Sequence, residues 1–232
     1  MELIIPLVII GAIALAVFGY YQAAQRRKAI AAWAAANGLR FEPGSDHRFD
    51  DRFAGFSCLG KGSNRYAHNI MHGSWRSHDD RRLTAFDYHY ATYSTDSKGR
   101  RRTHHHHFSA VVIHTLLPLT PLFIRPEGFF DKVTEFFGYD DIDFESAEFS
   151  CRFYVKSSDK QWAFDVIHQA TMEFMLAAPR YTLQFAGREI IAYNNSRFSA
   201  SEFESAIEVI EGILDRLPQY LLNDLAASDK GA

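Results

Sequence analysis

Histidine is the residue type in this chain with the most chemistry to offer. The sequence holds 11, and His104–His107 stand in a row. His89 lies upstream, within Phe86-Asp87-Tyr88-His89-Tyr90. Leu83–Tyr93 and Thr103–Thr115 are predicted as the two arms of a long antiparallel hairpin, because the stretch from Ser94 to Arg100 is polar and contains Gly99. Centring the turn near Ser97-Lys98 sets His89 opposite His106 and Tyr88 opposite His107. Side chains alternate along a strand, so His89, His104 and His106 then share one face. Three imidazoles converging on a point about 2.0–2.1 Å from each nitrogen would hold zinc, nickel or copper. A one-residue change of register removes the arrangement. No cysteine lies nearby in sequence. The competing reading is a polar, pH-sensitive strand end.

Other candidates are weaker. Arg100-Arg101-Arg102 sits in the hairpin turn and reads either as a solvated turn or as a basic finger for lipid headgroups, phosphate or nucleic acid. Gly60-Lys61-Gly62-Ser63 lacks the full phosphate-loop pattern and reads as a turn. Asp140, Asp141, Asp143 and Glu145 lack the glycine and terminal glutamate of a calcium loop, so a solvated loop is expected. There is no G-x-S-x-G elbow. No catalytic residues and no cofactor are predicted. The net charge of −3 gives no general attraction to nucleic acid. Cys58 and Cys151 are too few for a disulfide framework and are expected to be reduced.

These residues need elements to position them, and the first element is the most distinctive. Leu3–Tyr21 reads LIIPLVIIGAIALAVFGYY, without a charge. At about 1.5 Å per residue a helix over this run matches a bilayer core. It has no polar face, as a buried helix would, and no basic n-region or convincing cleavage site, as a secretory signal would. Arg26, Arg27 and Lys28 follow it directly, with nothing basic before it, which predicts a cytoplasmic C-terminal side. Gln22–Asn37 is rich in helix formers and ends at Asn37-Gly38. The predicted organisation is therefore 1–24 as a transmembrane anchor, 25–38 as a helical stalk, 39–225 as a cytosolic α+β domain and 226–232 as a disordered tail.

The domain, about 205 residues with the stalk, is long enough for its own core. Short strand-like runs fill 39–125: Leu39–Phe41, Gly55–Leu59, Asn69–Trp75, the two hairpin arms and Leu122–Arg125. Residues 79–82 read as the turn of an earlier hairpin. A short helix or irregular turn is expected at Gly128–Phe137, and a buried edge segment through Pro118, Pro121 and Pro126. Glu148–Val155 is predicted as a strand with Phe149, Cys151, Phe153 and Val155 on one face. A helix capped by Asp159 and running to Ala177 should pack Trp162, Val166 and Phe174 on that face. Thr182–Ala186 and Glu189–Tyr193 are predicted as a hairpin through Gly187-Arg188. Ser199-Ala200-Ser201-Glu202 is a capping box for a last helix to Leu217. The fold class is α+β, a mainly antiparallel sheet with two to three packed helices behind a transmembrane helix.

A resemblance appears in the same residues. Asn37-Gly38-Leu39, Gly60 and Gly62, Asn69-Ile70-Met71-His72-Gly73, Phe86–Tyr90, Leu117-Pro118-Leu119 with Leu122–Glu127, and Phe149-x-x-x-Phe153-x-Val155 follow in order. Together they resemble an uncharacterised family of bacterial membrane-anchored proteins of unknown function, over most of residues 26–217. The resemblance implies an inner-membrane location and a bacterial source, and it brings no catalytic residues. The expected function is a single-pass membrane protein with a cytosolic ligand- or protein-binding domain. The alternatives are a membrane-tethered enzyme of unknown reaction and a His-rich metal-binding domain. The expected partners are the bilayer, through residues 3–21, and an unidentified protein or small molecule; nucleic acid is not expected.

Overall fold

The computed structural model describes the backbone of residues 4–75, 81–128 and 141–230, with side chains from Ile9 to Ala227 within those ranges. Helix α1 runs from Ile4 to Ala36. It stops at Asn37-Gly38, as expected. Gly38 takes φ +69°, the Leu39 amide bonds the Ala34 carbonyl at 2.8 Å and the Gly38 amide bonds Ala35 at 3.2 Å. This pair of bonds satisfies carbonyls that the helix end would otherwise orphan. The second half of α1 is not a free stalk. Ile30 and Ala34 are fully buried in the core, and Trp33 lies 5.8 Å from Trp75 and 6.0 Å from Phe203, ring to ring. No helix among the described residues is long and apolar enough to cross a membrane. The uncharged run of the sequence begins at Leu3, ahead of the first described side chain.

The domain is built on one antiparallel sheet: β1 (Arg40–Glu42), β2 (Ser63–Ser74), β3 (Arg82–Thr95), β4 (Arg101–Pro126), β5 (Phe153–Ser157) and β6 (Thr182–Tyr193). The path runs β1-β2-β3-β4-β5, and β6 pairs with β4 as well. Residues 110–114 of β4 pair with both β3 and β6, and 122–124 pair with both β5 and β6. So β3 and β5 share one edge of β4, and β6 takes the other. Besides α1, six helices among the described residues pack around this sheet, more than the two or three expected: α2 (Phe49–Arg52), α3 (Ala147–Arg152), α4 (Lys160–Val166), α5 (Gln169–Ala177), α6 (Ala200–Leu214) and α7 (Gln219–Lys230).

Both faces of the sheet are apolar, because alternate strand residues point opposite ways. Leu83, Ala85, Val111 and Ile113 face α1 and α6, in one cluster with Ile30, Ala34, Trp162, Val166, Phe203 and Ile207. Phe86, Tyr88, Ala110 and Val112 face the other way, toward Phe49, Phe56 and Leu59.

Several expected elements differ. Gly55–Leu59 is a series of turns, not a strand. Leu122–Arg125 is no separate strand but the continuation of β4. The two runs around Gly187 are not a hairpin: both flanks find partners on the same long β4. Gly187 sits opposite Leu119 at φ +59°, between two register shifts, and Arg188 donates to the Leu116 carbonyl beside the break. Phe149 belongs to α3, capped by Ser146, rather than to the strand that follows. The helix after Asp159 breaks at Ile167-His168. In an unbroken helix Thr171 would sit about 140° from Val166; the break lets both residues face inward. Residues 226–230, expected as a disordered tail, continue α7, whose Leu221 and Leu225 are buried. The expected elements at 79–82 and 128–137 lie mostly outside the described residues.

Gly62 is required by its backbone and by its surroundings. Gly62 has φ +63°, and a Cβ there would collide with the Ala91 carbonyl and the Tyr90 ring. Gly62→Ala is expected to cost about 2 kcal/mol or more through backbone strain and displacement of β3. A urea midpoint equal to wild type would refute it.

Candidate functional site

The centre of the site is Asp87. It lies on the α1 side of β3, two residues past Ala85, and is fully buried. Arg26 of α1 meets it with two parallel bonds, Nη1 to Oδ2 at 2.7 Å and Nη2 to Oδ1 at 2.8 Å. Asn69 donates to Oδ2 at 2.8 Å and the Ser109 hydroxyl to Oδ1 at 2.5 Å. Arg26 Nε also bonds the Phe198 carbonyl at 2.8 Å, and the Phe198 amide donates to Ser109 Oγ at 2.9 Å. Asn69 adopts φ +50° within the irregular stretch between His68 and Met71, where β2 slips its register against β3. That slip aims its amide at the carboxylate. Burial alone would push the Asp87 carboxyl up. Arg26, Ser109 and Asn69 outweigh burial and hold it below the ordinary carboxylate range.

Beside this network, along residues 20–31 of α1, opens a cavity of ≈ 670 Å³. Its apolar wall includes Tyr20, Ala23, Ala24, Ala31, Phe41 and Pro43, and its polar wall Arg26, Arg27, Lys28, Tyr66, His68, Asn69, His107 and Arg197. Arg197 donates to His107 Nδ1 at 2.8 Å, which requires that nitrogen to be unprotonated. Burial first, then the Arg197 charge, pushes His107 down to about 4. His68 is pushed down by burial, against the pull of Asp87, with Arg197, Arg26 and Arg27 adding to the downward push.

The histidine face is shifted by one residue from the expected register. His89 pairs with His107, and Tyr90 with His106. His89 therefore shares its face with His105 and His107, whereas His104 and His106 lie on the opposite face, bonded to Ser94 and Thr92 at 2.8 Å each. The proposed metal set of His89, His104 and His106 is thus not assembled. The cause is Asp96. Its Oδ1 accepts the amides of Lys98 and Arg100, and its own amide bonds the Arg100 carbonyl, closing a loop over 96–100 and seating Thr95 against Arg101. Nor do the three histidines that do share a face form a ligand set. His89 is buried, donates Nδ1–H to the Asn64 carbonyl at 3.0 Å, and meets His105 Nδ1 through Nε2 at 3.0 Å. His107 is committed to Arg197. Among the described residues no group of three or more His, Cys, Asp and Glu could hold a metal ion.

The remaining candidates take structural places. Arg100 and Arg102 lie 3.0 and 3.9 Å from Asp96, and Arg101 stacks on Tyr93. Gly60–Gly62 leads into β2. Cys58 is buried and Cys151 exposed, both as free thiols. Asp140 lies outside the described residues. Sequence reasoning missed Asp87, Asn69 and Arg197. Asp87 carried a signal, since an acid in phase with Leu83 and Ala85 on an inward strand face demands a buried partner.

No family model and no curated protein match the chain. Among solved structures, the fold is similar to the mycobacterial trehalose monomycolate transport factor A, TtfA, with a TM-score of 0.56 and 11% identity, over 83% of this chain and 96% of that one. The likeness is one of fold.

Proposed function

We propose that this chain is a single-pass inner-membrane protein whose α+β domain is a ligand-binding module on the cytoplasmic side, not an enzyme. The carrying observation is the cavity walled by α1 at the point where the apolar run ends. The bilayer assignment is supported by side chains exposed all around α1, including Ile10, Ile13, Leu15, Val17, Phe18 and Tyr20. Arg26 is committed to Asp87, so the flanking positive charge rests on Arg27 and Lys28. The same ion pair ties the domain to α1, so in this reading the pocket stands beside the bilayer rather than on a loose tether.

The test has two parts. After an alkaline carbonate wash the full chain is expected in the membrane pellet, and a chain lacking residues 1–21 in the supernatant. The detergent-purified full chain is expected to carry a small molecule detectable by mass spectrometry, and Ala24→Phe, which fills the cavity, to lose it. A full chain in the supernatant, or the same bound molecule in both proteins, would overturn the reading.

A further inference from the structure

We propose that the cavity at the foot of α1 binds the phosphate of an acidic phospholipid drawn from the bilayer that holds residues 3–21, through Arg27, Lys28 and Arg197. This rests on the binding-module reading above. The first argument is charge. Arg27, Lys28 and Arg197 are exposed and line one cavity, and none of them has a carboxylate partner among the described residues. The acids nearby are already committed. Asp87 is buried beneath Arg26, Asp46 lies 2.6 Å from Arg52, and Glu42 lies 3.1 Å from Arg40.

The second argument is shape. The cationic wall faces an apolar one of Tyr20, Ala23, Ala24 and Phe41, so the cavity suits a charged group joined to a hydrocarbon. The third is depth. Tyr20 to Lys28 spans about 12 Å along the helix, while the headgroup layer beside the hydrocarbon core is roughly 5–8 Å thick. If the core ends near Tyr21, the cavity mouth stands at headgroup level. Acidic lipids are concentrated on the cytoplasmic leaflet, where the domain is proposed to lie. Guanidinium groups match phosphate oxygens in pairs. Zwitterionic lipids carry a quaternary or primary ammonium next to the phosphate, which this cationic wall would repel.

The full chain in neutral detergent would be titrated calorimetrically with dihexanoyl phosphatidylglycerol, dihexanoyl phosphatidylcholine and inorganic phosphate. Phosphatidylglycerol is expected to bind about tenfold or more tighter than either of the others. Arg197→Gln, and Arg27→Gln combined with Lys28→Gln, should each weaken it by about tenfold. Arg152→Gln, on α3 and outside the cavity, should leave it unchanged, and thermal melting should confirm that each variant is folded. Equal affinity for the two lipids, phosphate binding as tightly as phosphatidylglycerol, or unweakened binding by folded variants would overturn the proposal. If Ala24→Phe nonetheless loses a co-purified molecule, the binding module stands and the lipid assignment alone fails.

Discussion

Truncating Arg26 to alanine will cost the fold about 3–5 kcal/mol, because it strands a buried carboxylate. The Asp87 side chain is 1% exposed and Arg26 is 23% exposed. The penalty therefore falls mainly on the acid left behind, with Ser109 and Asn69 bonded to it and His68 3.9 Å away. Adding Asp87→Asn to Arg26→Ala should recover part of the loss, since a neutral amide tolerates the same site better than a lone charge. Urea unfolding of residues 22–232 measures both. A loss under about 1 kcal/mol for Arg26→Ala would mean that α1 is held by its apolar face alone.

The same pair sets an acid response whose sign can be worked out. The folded-state value of Asp87 lies below the ordinary one of about 3.9. Its contribution is then fully present above that value and lost as pH falls through the folded value. Without Arg26, burial is the leading influence and pushes the carboxyl up. The contribution then reverses: it is greatest at low pH and is lost as pH rises above about 4. His68 and His107 act in both proteins in one direction. They are held down, so they remove stability as pH falls below about 6.5. Stability curves of wild type and Arg26→Ala should therefore converge toward acid pH, and parallel curves would refute the assignment.

Local chemistry made much of the fold legible. The Asn37-Gly38 stop, the Asp159 cap and the Ser199/Glu202 capping box each involve groups within a few residues of one another, and all three are present. The β3–β4 hairpin was legible from its two runs and polar turn. Its register was not, because it depended on which residue the Asp96 carboxylate would gather, and a single step exchanged the histidine faces. The cavity could not be read at all. Its walls come from α1, β1, β2, β4 and the segment after β6, far apart in the chain. Arg26 illustrates the difficulty: beside an apolar run it reads as a topology signal, and its partner lies 61 residues away.

Phe153→Ala is expected to lower stability by about 3–5 kcal/mol, the cost of a large cavity in a core that cannot collapse to fill it. Phe153 opens β5 opposite Pro126, is 4% exposed, and shares one cluster with Phe149, Val155, Trp162 and Val166. Its ring lies 4.9 Å from that of Phe149, which in turn contacts Phe144 at 5.3 Å. Phe149 reaches this cluster from α3 rather than from the strand, so the two rings meet across the helix-to-strand turn. Phe174 is the partly buried member of the expected set. It fills the space over Gly212, where a Cβ would collide with its ring, and Arg216 stacks on it at 4.1 Å. Phe174→Ala should therefore cost less than Phe153→Ala. A double substitution of Phe149 and Phe153 should depart from additivity by about 0.5–1.5 kcal/mol, the coupling of stacked rings. In urea the Phe153→Ala midpoint should fall while the slope stays constant. A loss below about 1 kcal/mol would remove Phe153 from the core and, with it, the packing of β5 against α4.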